Sequence, residues 1–399
     1  MRKHLTFFCG LIIWIVCVSM ICGTPAFAET DAETDAETDD VVPPSDPDGC
    51  RSALVMEATS GDIIYEFNSR EKLAPASMTK MMLVLITMDR VSSGDLSLDT
   101  PITTSAHASR MGGSQVYLAH NEVFPLSELL KAVLIQSAND ASMAIAEHIG
   151  GSAEGFIDLM NAYARRMGME DTVFNSPHGL PPGKNQESDI TSARDLAVLA
   201  RTLVTRHPEV LKWSCLDSEP FRDGKFIMTN TNRLVKQFVG CDGLKTGYYQ
   251  SAGFSVTATA EQNGVRIIAV VMGCRKGKDR FNEAARLLKW GLMKYRKVEL
   301  ITAGAASERS IPVIDGTLEE TVPEVARTVT AIVRKDRVDQ IIMKTTLDRE
   351  MTAPVDSGRV CGSVTFLLGD TEIGRSDLIT RESIPALNWW GKLKRAVGL

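Results

Sequence analysis

Residues 253–272 read GFSVTATAEQNGVRIIAVVM. Two apolar, β-branched runs, about Gly253 to Ala260 and Val265 to Met272, flank Asn263-Gly264, a dipeptide that tight hairpin turns favour because both central residues need positive φ. The stretch predicts a pair of antiparallel strands. Working outward, short apolar runs at Ala53 to Met56 and Ile63 to Phe67 around Gly61-Asp62 predict a second hairpin. Between the two hairpins the period changes to that of helices. Met81 to Met88, Phe156 to Met167 and Ser192 to Thr205 are apolar at helical spacing, and Leu126 to Ile149 reads as one helix broken near Gln136 to Asn139. A further helix fits Phe281 to Tyr295. Strands at both ends with helices between them predict an α+β fold, an antiparallel sheet flanked by helices. From Arg309 to Thr380 the chain shows β-branched alternation, turns such as Gly369-Asp370 and no convincing amphipathic helix, which predicts a smaller β-rich domain.

At 399 residues, 44% hydrophobic and 24% charged, the chain has apolar side chains for a sizeable core and length for two or three domains. Lys plus Arg number 44 against 50 Asp plus Glu, a formal charge of -6, so there is no basic footprint for nucleic acid. Residues 29–50 hold nine acids and no base, and the remainder is nearly neutral.

The chain opens with Arg2 and Lys3, an uncharged apolar run from Leu5 to Cys22, and Ala26-Phe27-Ala28 before Glu29, the pattern of a cleaved signal peptide over 1–28. The run is also about as long as a bilayer span, so an uncleaved anchor is the alternative. Residues 29–50, acidic and Pro-containing, have no apolar face to bury and read as a self-repelling linker. Removal of the leader leaves Cys50, Cys215, Cys241, Cys274 and Cys361, an odd number, so at least one stays unpaired within the chain. Their wide, irregular spacing matches neither a zinc site nor a disulfide framework. The histidines form no HExxH, and neither a metal nor a cofactor is expected. In the tail, 384–399, Ala386, Trp389, Trp390, Leu393, Ala396 and Val397 share one helical face, with Asn388, Lys392 and Arg395 opposite. A basic helix with paired Trp predicts a membrane-surface anchor; the alternative is a helix docked on its own domain.

Three short motifs stand in order: Ser77-Met78-Thr79-Lys80, Ser137-Ala138-Asn139 and Lys245-Thr246-Gly247. Ser77 opens a helical pattern, so Lys80, three residues on, shares its face, and an amine beside the hydroxyl can take its proton. That chemistry needs a lowered lysine pKa, from burial or a second cation such as Lys245. The start of the helix also aims backbone N–H groups at the place where an oxyanion would form. Ser137 and Asn139 fall at a helix break, suited to relaying a proton to a leaving amine and to binding a substrate amide, or merely to capping a helix. Lys245 and Thr246 suit a carboxylate, and Gly247 a close backbone approach. Strand alternation sends Lys245 and Thr246 to opposite faces, so both can serve one substrate only at a sheet edge.

The ordered triple resembles the penicillin-binding proteins and serine β-lactamases. Ser137 to Ser142, Ser176-Pro177-His178-Gly179-Leu180, Thr191 to Asp195 and Asp242 to Gly247 resemble, within these, the low-molecular-mass D-alanyl-D-alanine carboxypeptidases, with similarity running from about Ala53 to the C-terminus. The resemblance implies a β-lactamase/transpeptidase-like catalytic domain over 51–298, a β-rich domain over 299–383 and the tail helix. It implies Ser77 as acylated nucleophile, Lys80 as its base, Ser137 and Asn139 as proton relay and amide binder, and Lys245 and Thr246 as carboxylate contacts. The backbone N–H groups of Ser77 and Tyr248 would form the oxyanion hole. Tyr248 stands where many relatives carry His. Arg280 matches an arginine that holds the substrate carboxylate in relatives, or is a surface residue of the basic cluster Arg275 to Arg280. The implied activity is removal of the terminal D-Ala from peptidoglycan stem pentapeptides, with β-lactam antibiotics as inhibitors, at the extracytoplasmic face of the membrane. The alternatives are a D,D-endopeptidase acting on cross-links and a non-catalytic wall-binding or penicillin-sensing protein. A class A β-lactamase would need a Glu with Asn four residues later between the second and third motifs, and no Glu from 147 to 219 has it.

Overall fold

A computed structural model describes residues 44–183 and 187–397; the expected signal peptide and most of the acidic linker lie outside them. Along the chain run β1 (Ser52–Glu57), β2 (Ile63–Phe67), α1 (Lys80–Ser92), α2 (Leu126–Leu134), α3 (Asn139–Gly150), α4 (Ala153–Arg166), α5 (Ala193–Arg206), β3 (Cys241–Tyr249), β4 (Gly253–Gln262), β5 (Val265–Cys274) and α6 (Gly277–Lys294). The strands form one antiparallel sheet in the order β2-β1-β5-β4-β3. The first hairpin therefore joins the last three strands through β1 and β5, which leaves β3 as an edge strand. Between β4 and β5 Gln262 pairs with Val265, and Asn263 and Gly264 take φ of 52° and 77°, as the hairpin dipeptide requires.

Side chains alternate across the sheet, and both faces are covered. Leu54, Met56, Ile268, Val270 and Met272 pack into a core shared with α1 to α5. Ala53, Val55, Ile267, Ala269 and Val271 point the other way, onto Phe281, Ala284, Leu287 and Leu288 of α6. This is why β5 reads as a continuous apolar run instead of an alternating one. At the start of α5 the Ser192 hydroxyl accepts a hydrogen bond from the Asp195 N–H and caps the helix.

The cysteine spacing left the pairing open; Cys50 and Cys274 are bonded, 224 residues apart in sequence. Antiparallel pairing sets Ser52 opposite Met272, so the residues two positions further out on each strand also come opposite each other, a relation that sequence spacing does not display. Cys215, Cys241 and Cys361 are free.

From Tyr295 the chain is β-rich: β6 (Tyr295–Ile301) pairs with β7 (Val329–Arg334), and β8 (Ile341–Leu347), β9 (Val360–Leu368) and β10 (Thr371–Ile379) share a second sheet. Two small cores, around Ile311, Val313 and Met351 and around Val325, Val364 and Phe366, hold this part together. On the tail helix α7 (Trp389–Ala396) Lys392 bonds the Asp315 carboxylate and Arg395 the Gly316 carbonyl, both side chains remaining partly exposed, and Trp389, Trp390 and Leu393 are exposed.

Ile268 is fully buried on β5, in the core shared with α1 to α5, and is not a motif residue. Ile268→Ala should cost about 2–5 kcal/mol of unfolding free energy, the range for emptying a buried Ile site, as read by urea denaturation.

Candidate active site

Ser77 lies in a 3-10 turn, Ala76–Thr79, that runs directly into α1 at Lys80. The sequence predicted the first turn of an α-helix. The tighter turn has three residues per turn, so side chains at i and i+3 eclipse, which brings serine and lysine together more directly than an α-helix would. Lys80 Nζ lies 2.9 Å from Ser77 Oγ, 2.7 Å from Asn139 Oδ1 and 2.5 Å from the His178 carbonyl. Three donors thus meet three acceptors on a side chain with no solvent exposure. Burial holds the Lys80 amine well below the ordinary lysine range, and the charge on Lys245 lowers it further, against the opposing pull of Asp189 and Asp140. Both devices anticipated for activating this lysine are present, and burial is the larger.

The backbone under Ser77 is clamped from two sides. Ala76 has φ of 47°, a conformation that costs a non-glycine residue roughly 1–3 kcal/mol unless its surroundings enforce it. A Cβ on Gly179 would sit 2.0 Å from the Ala76 carbonyl oxygen, and one on Gly247 would sit 2.3 Å from that of Pro75. Gly247 is thus needed for the strand to reach the nucleophile turn, a packing requirement that the sequence reading assigned to substrate approach. Asp189, which the motifs did not single out, ties down the same region. Its buried carboxylate accepts from Thr79 Oγ1 at 2.8 Å, Ser176 Oγ at 2.9 Å and the N–H groups of Asn175 and Ser176. Burial still raises its pKa, although these hydrogen bonds pull the other way.

The second motif lies in the turn between α2 and α3. Ser137 is buried with φ of 61°, and the N-cap of α3 is Ala138, so neither Ser137 nor Asn139 caps the helix. Asn139 instead gives Oδ1 to Lys80 and donates from Nδ2 to the Gly112 carbonyl at 2.7 Å, which leaves one N–H and one lone pair of its amide free. Ser137 is not among the hydrogen-bond partners of Lys80 Nζ. His178 is partly buried, its Nδ1 accepts from the Leu180 N–H, and its pKa is held down at about 3 by burial and the Lys80 charge, so the ring is neutral at physiological pH.

The third motif lies on β3, the edge strand, which meets the geometric condition for Lys245 and Thr246 to serve one site. Lys245 is buried, and burial together with the charge of Arg280 lowers its pKa to about 7. Thr246 Oγ1 bonds Thr231 Oγ1 at 2.8 Å. Arg280 is not a loose surface residue. Its Nη1 donates to the carbonyls of Gly247 and Ser255, both at 3.1 Å, and burial lowers its pKa to about 10 with help from Arg233. Tyr248, half exposed, stacks on Phe254 at 3.9 Å.

A serine bonded to a buried, pKa-lowered lysine, beside an edge strand that carries Lys245 and receives Arg280 from α6, defines an acyl-transfer enzyme of the penicillin-recognising serine class. The family description "D-alanyl-D-alanine carboxypeptidase" matches residues 42–276, and "Penicillin-binding protein 5, C-terminal domain" matches 295–386. The chain is 31% identical to D-alanyl-D-alanine carboxypeptidase DacF of Bacillus subtilis, over 87% of this chain and 89% of the relative. Penicillin-binding protein 5 of Haemophilus influenzae superposes with a TM-score of 0.64 at 28% identity, covering 86% of this chain and 99% of that one. Penicillin-Binding Protein D2 of Listeria monocytogenes in the ampicillin-bound form gives 0.56 at 28% identity, over 61% and 97%. The chain belongs to the D-alanyl-D-alanine carboxypeptidase family and is a serine carboxypeptidase.

Lys245 offers a test of the buried charge. With a folded pKa of about 7 against 10.5 unfolded, the unfolded chain binds more protons between those values, so stability rises with pH across that window and the penalty is complete below it. Lys245→Met should therefore be more stable than wild type at pH 6, on the order of a few kcal/mol, with the advantage shrinking from pH 7 to 10 in urea denaturation.

Proposed function

We propose that the enzyme removes the terminal D-Ala of peptidoglycan stem pentapeptides through an acyl-enzyme on Ser77, and that penicillin acylates the same serine. The observation carrying this reading is the 2.9 Å contact between Ser77 Oγ and a lysine amine that burial holds well below the ordinary lysine range. Neutral Lys80 takes the hydroxyl proton as Oγ attacks the penultimate carbonyl. Backbone N–H groups of Ser77 and Tyr248 receive the oxyanion. Ser137 passes a proton to the departing D-Ala nitrogen, and Asn139 uses its free N–H on the substrate amide. Lys245, Thr246 and Arg280 take the terminal carboxylate, and water then releases the acyl group.

The catalytic assignment is tested by mass spectrometry with penicillin alongside D-Ala release from a pentapeptide. Ser77→Ala should lose both, and Lys80→Arg should be nearly as inactive, because a guanidinium cannot be deprotonated at working pH. A covalent adduct on Ser77→Ala, or substantial acylation of Lys80→Arg, would overturn it.

We further propose that the protein is exported and bound to the membrane surface. The leader pattern and the Cys50–Cys274 bridge support export, since disulfides persist in oxidising compartments. Support for membrane binding comes from Trp389, Trp390, Leu393 and Val397, all half or more exposed on α7. No helix among the described residues is long and apolar enough to cross a membrane, so α7 would lie in the interface. Deleting residues 386–399 from the mature protein should release it from anionic vesicles in sedimentation assays and leave hydrolysis of a small soluble peptide unchanged. Continued sedimentation would locate the anchor elsewhere.

A further inference from the structure

Arg280 sits in the first turn of α6, whose N-cap, Lys276, makes no side-chain capping bond. The turn therefore lacks the side-chain cap that would fix its first N–H groups. The strand leading into it is irregular as well. Phe254 pairs with Cys274 while Val256 pairs with Val271, a bulge that interrupts the β4–β5 ladder at the end nearest the helix.

What holds this end is the segment before β1. Cys50 is bonded to Cys274, the Arg275 N–H donates to the Gly49 carbonyl at 2.9 Å, and the Arg51 N–H donates to the Met272 carbonyl at 3.0 Å. Phe254 connects the stapled end to the site. A Cβ on Gly277 would lie 3.3 Å from its ring, the Arg280 guanidinium stands 5.4 Å from its centroid, and Tyr248 stacks on it at 3.9 Å. Arg280 reaches the KTG strand from this support, with Nη1 occupied by the Gly247 and Ser255 carbonyls.

We propose that the Cys50–Cys274 disulfide is a positioning element of the substrate-carboxylate site: by fixing the bulged end of β5 and the uncapped start of α6, it holds the Arg280 guanidinium at Gly247. The inference rests on the reading of Arg280 as a carboxylate contact. Cys50 and Cys274 touch no substrate; they act through Arg280.

The test compares an N-acylated peptide ending in D-Ala-D-Ala with its C-terminal amide, which lacks the charge that Arg280 would read. The double variant Cys50→Ser/Cys274→Ser should raise KM for the free acid about tenfold with kcat within about twofold, the pattern of lost ground-state binding, while kcat/KM for the amide stays put. Arg280→Ala added to the double variant should then cost less than it does in wild type, because the two changes disable one interaction. Stoichiometric acylation at saturating penicillin certifies that each variant is folded. Should Arg280→Ala erase the preference for the acid while the double variant keeps it, the positioning role is refuted and the carboxylate reading survives. If Arg280→Ala itself leaves the preference intact, the carboxylate reading fails and this inference falls with it. Equal loss on acid and amide in the double variant would make the disulfide a general staple and also refute the proposal. Phe254→Leu, which keeps the bridge but removes the aromatic support, should show the same acid-selective KM effect.

Discussion

A lysine ammonium with no solvent exposure is the constraint around which the site is built. Taking an isolated charge out of water costs several kcal/mol even after relaxation, so the group must be surrounded by acceptors, give up its proton, or both. Lys80 does both. Its three acceptors come from its own turn, from the start of α3 and from the loop at His178, so the placement of one nitrogen ties together three segments that are distant in sequence. The charge of a second buried lysine, Lys245, lowers its pKa further. The features that make the site expensive to fold are those that lower the lysine pKa.

Such a site has to be rigid, and the rigidity is supplied by backbone. The left-handed Ala76, the two glycines packed against the carbonyls of Pro75 and Ala76, and the fully bonded Asp189 leave the nucleophile turn little freedom. A turn fixed before substrate arrives does not have to be ordered during the reaction, which is the energetic advantage of preorganisation. Gly247 links the two halves of the site, because its missing Cβ lets the edge strand with Lys245 and Thr246 lie against that turn.

The sheet carries a division of labour. One face supports the helices that present Ser77, Lys80 and Asn139, and the other supports α6, from whose first turn Arg280 reaches back to the edge strand. Arg280 and the Ser77 turn thus come from opposite sides of one sheet and both lie against Gly247 of its edge strand. In the β-rich part, α7 is held by Lys392 and Arg395 on Asp315 and Gly316, which leaves its apolar side outward.

Local patterns in the sequence determined a good deal. The Asn263-Gly264 hairpin, the helix broken before Asn139 and the helix begun at Ser192 each follow from turn propensity, periodicity or capping within a few residues, and the three motifs with their order were legible for the same reason. Pairings between distant segments were decided only in three dimensions. Cys50 meets Cys274 because β1 and β5 are neighbours, Lys245 and Thr246 lie on an edge strand because of the sheet order, and Arg280 is drawn out of its basic cluster because two carbonyls of the sheet receive it. Asp189 and the His178 carbonyl had no signal at all, since any residue offers a carbonyl and one aspartate in the chain resembles another until burial surrounds it with donors. Spacing along a chain reports what neighbours can do for each other, whereas the lowered pKa of Lys80 depends on the removal of water, and water is removed only by the packed whole.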